Sequence, residues 1–271
     1  MKRVSVEESF LWARQLAARE WHLIVPVALA FLAVPPLAFD LLLPKSVVAA
    51  ISAGPTGNMA PAMAAMGWLL PVFLAILLIG LIGGLAVTAL ALIPGISVRE
   101  AIGLAFRRLG GMVGAMLLVS AGLLLAATLF AIVGGIARVD PVSLQGMLLG
   151  LILGLGLFVS TRLVTLAPLI VERGVGPVTA IRMSWALSRD SFWRLFGALL
   201  VYLVGAGLAL VAISLAVSAV LLVAGRAVGM PDAGPILSTV VIRAGAALVS
   251  AGLHILIVAL YRQLSRPATA A

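Results

Sequence analysis

The sequence predicts an all-α polytopic membrane bundle of six transmembrane helices, on its composition, its long apolar runs and the placement of its basic residues. Of 271 residues, 63% are hydrophobic and 10% are charged, whereas a soluble domain is about half apolar and about a quarter charged. A mean hydropathy of +1.27 excludes a soluble globular domain and a disordered chain alike. No apolar run keeps a period-two alternation, so nothing reads as a strand.

A spanning helix takes roughly 20 predominantly apolar residues. Six stretches meet that length: 21–43, 68–93, 112–136, 142–171, 192–224 and 235–261. Trp21, Trp68 and Trp193 stand where three of them begin, as an aromatic belt at the lipid–water interface requires. The fifth stretch is long enough to tilt strongly or to begin as a helix lying at the interface. The leading segment carries Glu7, Glu8 and Glu20, and no small-residue cleavage site follows before Pro44. It is therefore expected to stay attached as the first span.

Thirteen basic residues fall on one side of these spans: Lys2, Arg3, Arg14, Arg19, Arg99, Arg107, Arg108, Arg173, Arg182, Arg189, Arg194, Arg262 and Arg266. Three fall on the other: Lys45, Arg138 and Arg226. Positive residues are retained in cytoplasmic loops, so both termini are expected in the cytoplasm. The formal charge of +9 is thus a matter of topology, and nucleic acid is not an expected partner.

The segments before the first, third and fifth spans suggest a repeat within one integral membrane domain, with units at approximately 1–93, 94–171 and 172–271. Each unit reads as an interfacial helix followed by a helix pair. Residues 5–20, 97–109 and 177–189 are expected to form separate helices on the cytoplasmic face, each turning into the next span. Aligned, they place Ser9 with Ala101 and Ala180, and Phe10 with Ile102 and Ile181. Ser5-x-x-Glu8 and Ser97-x-x-Glu100 are capping boxes, and Gly176-Pro177 suits a helix that starts at the proline. Val6, Phe10, Ala13 and Ala17 share one face of the first helix, and Val98, Ala101, Ile102, Ala105 and Phe106 one face of the second. In the third, Met183 and Leu187 lie opposite Val178, Ile181 and Trp185, which predicts cover on both sides. The simpler reading of these helices is an apolar face dipping into the headgroup region; the sharper one is docking of a specific lipid or partner.

The stretch from Leu166 to Phe196 holds Pro168 and Glu172 at a span end, Gly176-Pro-Val-Thr-Ala180 leading into a helix, then Ser184-Trp185 and Phe192-Trp193. These features resemble the membrane domain of bacterial glycerophosphoryl diester phosphodiesterases, a domain that also occurs alone in the inner membrane. The resemblance implies a multi-pass envelope module. It does not imply the hydrolase, whose catalytic barrel is a separate soluble domain of about 250 residues; this chain has no polar stretch of that size.

Candidate chemistry is sparse. There is no cysteine, and only His22 and His254 and nine carboxylates are available. No nucleotide loop, HExxH or Gly-x-Ser-x-Gly occurs, so no catalytic residue, metal or cofactor is assigned. Ionisable groups inside a membrane are costly and mark functional candidates. Arg162, about 15 Å before Glu172 at helical rise, is a candidate contact for a lipid phosphate or other anion. Arg182 and Arg189 on the third cytoplasmic segment join it. Asp40 and Arg243, near the opposite ends of the first and sixth spans, are a candidate structural ion pair. His254 reads as a packing histidine before a proton relay. Met59, Met63 and Met66 read as an apolar stripe before a Cu(I) site. Gly80/Gly84, Gly110/Gly114 and Gly146/Gly150/Gly154 have the spacing of close helix approaches.

The expected function is a non-enzymatic inner-membrane module that binds lipid or a membrane partner, with membrane lipids, another membrane protein or a second copy of the chain as partners. The alternative is a small transporter or channel for an anionic or lipid-like substrate. A groove open sideways to lipid favours the first, and a wide cavity lined by Arg162 favours the second.

Overall fold

In the computed structural model, which describes residues 6–52, 60–227, 229–230 and 233–265, the apolar runs fold as helices. In chain order these are α1 (Val6–Ala28), a π-helical turn (Leu29–Ala33), α2 (Val34–Leu42), α3 (Lys45–Ser52), α4 (Ala60–Leu92), α5 (Val98–Ile136), α6 (Pro141–Arg162), α7 (Leu166–Arg173), α8 (Pro177–Ser188), a 3-10 turn (Arg189–Ser191), α9 (Phe192–Ala227) and α10 (Ala233–Ser265). Among the described residues there is no strand. Six helical stretches are long and apolar enough to cross a bilayer: Glu7–Leu42, Met63–Leu92, Val98–Ile136, Pro141–Arg173, Pro177–Ala227 and Gly234–Ser265.

The expectation of three separate interfacial helices needs correction. Residues 5–20 do not stand apart: α1 runs unbroken from Val6 to Ala28. Residues 97–109 are the first turns of α5, a single helix of 39 residues. Neither junction carries a proline, so the i→i−4 ladder passes through both; the one proline of α1, Pro26, lies further along the helix. Only the third segment turns, at Arg189–Ser191, between α8 and α9. The apolar faces of the first two also meet protein in part, while Phe106, Val178 and Trp185 stay exposed. Ser9, Leu16, Ala101 and Ala105 are buried, with Trp12, Ala13 and Ile102 packed against them.

Helix ends follow local chemistry. Ser97 and Glu100 close a reciprocal capping box at the start of α5. Ser5, the start of the other expected box, lies outside the described residues. Asp140 caps α6 by accepting from the Ser143 amide at 2.9 Å, with Pro141 at the first helical position. Gly176 and Pro177 open α8. Gly174 ends α7 in the left-handed region at φ +59, with the Arg108 guanidinium lying where a Cβ would be. At the end of α4, Arg262 donates to the Leu92 carbonyl at 2.6 Å, placing a cation on orphan carbonyls at the negative end of the helix dipole.

The π-helical turn has a cause in the sequence. Pro35 and Pro36 cannot donate to the carbonyls of Phe31 and Leu32, and their rings crowd those oxygens. The backbone widens by one residue, and the Val34 amide donates to the Leu29 carbonyl. The widened turn rests on Gly83, where a Cβ would fall 2.5 Å from the Phe31 Cβ.

The core lies among α1, α4, α7 and α10, where Ile24, Leu85, Leu90, Leu169, Ile255 and Tyr261 are fully buried. Most of α5, α6 and α9 lies outside it and shows leucine outward: Leu117, Leu124, Leu153, Leu208 and Leu215 are all exposed. In a bilayer those side chains are covered by lipid tails as apolar as themselves.

Candidate functional site

Arg162 is the last residue of α6. The helix stops there because Pro168 has no amide for the Val164 carbonyl and its ring would strike that oxygen. Leu163–Thr165 form a turn, and α7 restarts with the proline inside its first turn. The break leaves the Arg162 carbonyl without a helical donor. Two serines one turn apart on α8 replace it: Ser184 Oγ and Ser188 Oγ each donate to that oxygen at 3.0 Å. Ser184 Oγ also pairs with Thr165 Oγ1 at 2.8 Å. All three side chains are buried.

This anchoring fixes the Arg162 side chain among aromatic rings. Its guanidinium carbon lies 5.4 Å from the Phe158 ring centre, 5.4 Å from Trp185 and 5.0 Å from Phe192. Each ring attracts the cation through its quadrupole. Phe158 meets Trp185 edge to face, and Phe192 lies between Phe158 and Trp193. The rings take the place of water but offer no lone pairs. Nε and Nη1 of Arg162 are buried and have no hydrogen-bond acceptor, a costly state for charged donors.

A groove of about 1050 Å³ opens beside this cage, between α6 and the α8–α9 turn. Arg162, Arg189 and Arg194 line it together with the Asp190 carboxylate. Arg182 lines an adjoining groove of about 600 Å³ that shares Arg189 and Ala186 with the first and has Trp185 in its wall. An apolar slot of about 310 Å³ runs up between α5 and α6 past Leu118, Gly122, Leu155 and Val159 and also ends at Trp185. The structure therefore gathers Arg162, Arg182 and Arg189 along two connected grooves. The spacing of basic residues did not reveal Arg194 or the cage of Phe158, Trp185 and Phe192. The available signal was Pro168, which forces the break that brings α8 across.

Asp40 and Arg243 also meet. Arg243 donates from Nε to Oδ2 at 2.5 Å and from Nη2 to Oδ1 at 2.7 Å, joining α2 to α10. His254 Nδ1 lies 3.2 Å from Thr88 Oγ1 of α4, and Tyr261 donates to Glu172 of α7. Arg243, His254 and Tyr261 repeat along α10 at spacings that return to one face within about 20°, so this helix presents its polar groups to the core. His22 is exposed. Met63 and Met66 are exposed, and Met59 lies outside the described residues. Of the seven glycines with close-approach spacing, two make such an approach. Gly84 and Gly114 sit hard against His254 and Pro177, while Gly80, Gly110, Gly146, Gly150 and Gly154 have nothing within 4 Å of a Cβ position. Among the described residues no group of three or more His, Asp or Glu could hold a metal ion.

No protein-family model matches this chain, and no curated protein or solved structure matches it either. What the fold defines is a multi-pass helical membrane protein. Ser184, Trp185 and Phe192 all meet Arg162, while Pro177 lies against Gly114 of α5.

Proposed function

We propose that this protein is a non-enzymatic integral membrane module that holds an anionic lipid headgroup in the Arg162 groove. One observation carries the reading: a guanidinium caged by three rings, with two buried nitrogens lacking an acceptor, beside an open groove that carries two more arginines. A phosphodiester has the acceptors that the cage lacks, and its two free oxygens match the plane of a guanidinium; reaching the two buried nitrogens takes a shift of the surrounding rings. Arg189 and Arg194 on the rim favour the same charge, and Asp190 among them disfavours an indiscriminate anion. The slot between α5 and α6 gives an acyl chain a path away from Trp185.

The basic-residue bias supports cytoplasmic termini, which puts this groove at the inner leaflet. The resemblance to the phosphodiesterase membrane domain supports a bacterial inner-membrane setting. The groove combines its arginines with apolar walls of Leu157, Phe158, Phe192, Trp193 and Phe196, a lining that suits a lipid headgroup and its chains.

Native mass spectrometry of the delipidated protein with phosphatidylglycerol and phosphatidylcholine tests the reading. Phosphatidylglycerol is expected to bind more tightly, and Arg162→Gln to remove the preference by about tenfold, or about 1.4 kcal/mol. Equal binding of both lipids, or an unchanged preference in the variant, overturns it. Protein-dependent movement of phosphatidylglycerol across a vesicle bilayer would shift the reading to a transporter.

A further inference from the structure

A second cavity lies on a side of the bundle where Phe73 and Leu77 are exposed, away from the Arg162 groove. It holds about 350 Å³ between the π-helical turn, α4 and α10. Its walls include Phe31, Phe73, Leu77 and Gly80, and two polar residues one turn apart on α10, Ser250 and His254. His254 is about 16 Å along the helix from Ser265, within the depth of a bilayer's hydrocarbon core.

The hydrogen bonds around His254 fix what its ring can offer. The Thr88 hydroxyl donates to the Gly84 carbonyl at 2.7 Å, a back-bond common for threonine in helices. Its one hydrogen is then committed, and Thr88 presents only a lone pair to His254 Nδ1, 3.2 Å away. Nδ1 must therefore carry the proton of the neutral ring, and Nε2 is left as an acceptor. Gly84 makes this seat: a Cβ there would fall 2.8 Å from Nε2. Among the described residues no protein donor reaches Nε2, and the Ser250 hydroxyl has no protein partner. No charged side chain lines the cavity, so an ionic headgroup would be stripped of water there without compensation.

We propose that this cavity binds the hydroxyl of a neutral lipid alcohol. The O–H donates to His254 Nε2, and the same oxygen accepts from Ser250. The aliphatic body lies against Phe31, Phe73 and Leu77 and leaves through the open side of the cavity toward the lipid. Both polar groups of the wall are satisfied by one group that is donor and acceptor at once.

The test uses the full chain in detergent, with oleyl alcohol and its methyl ether as probes in native mass spectrometry. The ether keeps the acceptor and the body but has no O–H. The alcohol is expected to bind about tenfold more tightly than the ether. His254→Phe removes the difference, and His254→Gln, which keeps an acceptor, restores part of it. Gly80→Leu fills the cavity from a position with open space around it and abolishes alcohol binding without disturbing the fold. Arg162→Gln leaves alcohol binding unchanged, which separates this site from the headgroup groove. Equal binding of alcohol and ether, no binding of either, or alcohol binding that survives Gly80→Leu overturns the proposal. Equal weak binding would show that water alone bridges the two side chains.

Discussion

Arg243 holds Asp40 with two parallel hydrogen bonds, from Nε to Oδ2 and from Nη2 to Oδ1, so the first and last spanning segments are clasped at the end opposite the termini. The guanidinium's fork matches the carboxylate's two oxygens, a geometry that lysine cannot reproduce. Both side chains keep partial exposure, 39% and 25%. Their worth comes from sparing each other an unpaired charge near lipid.

That geometry predicts a measurable coupling. Asp40→Asn and Arg243→Gln should each destabilise the protein, and the double variant should lose less than the sum. A double-mutant cycle by thermal unfolding in detergent should return a coupling of about 1–3 kcal/mol. A coupling near zero would mean that each charge reaches the headgroups alone. Arg243→Lys should recover only part of the loss.

The glycines of α4 should differ sharply although three of them lie within five residues. At Gly83 a Cβ would strike the Phe31 Cβ, an atom fixed to the backbone, and at Gly84 it would strike the His254 ring. Gly83→Ala and Gly84→Ala should each cost about 1–3 kcal/mol as overpacking, Gly83 the more. Gly80→Ala meets nothing and should be neutral or stabilising by up to about 1 kcal/mol, the helix-propensity gain over glycine. Melting temperatures of the three variants in one detergent decide this.

The serines of α8 should act as a pair. Ser184→Ala or Ser188→Ala leaves the Arg162 carbonyl one donor, at a cost of about 1 kcal/mol each. Removing both strands that oxygen at the helix break and should cost more than the two single losses together. The double variant should also weaken phosphatidylglycerol binding, because the carbonyl anchor sets where the side chain points. Unchanged lipid binding would show that the rings alone position Arg162.

The basic-residue bias predicts that a reporter fused after residue 271 is active only if it works in the cytoplasm. Phosphatase activity from an exported reporter at that position would reverse the topology and move the Arg162 groove to the other leaflet.

The spans were legible because each is an uninterrupted apolar run, and Asp40 and Arg243 stood out because a charge in such a run needs a reason. The continuity of α1 and α5 was missed. Charged residues such as Arg19 and Arg107 look like an interfacial boundary, yet they are ordinary helix formers that leave the backbone ladder intact. The turn between α8 and α9 was visible, since Arg189-Asp190-Ser191 is a polar break before an aromatic start. The cage around Arg162 was not legible, because Phe158, Trp185 and Phe192 come from three helices and meet only once Pro168 has broken the span. The π-helical turn had its signal in Pro35-Pro36, but a doubled proline alone does not say whether a helix will bend, stop or widen.

The place of α10 in the core has a consequence for biosynthesis. Chain order brings α10 out of the ribosome after the helices it packs against; α1 has its most extensive packing against it, and α4, which packs chiefly on α5, also meets it. Until it arrives, Asp40 has no cation, Thr88 faces no imidazole and the end of α4 has no arginine on its carbonyls. The nascent protein must therefore hold its first spans in the membrane with these polar groups unpaired, exposed to whatever surveys unfinished membrane proteins. A chain stopped after α9 would stay in that state and be a target for degradation, however complete its other five spans.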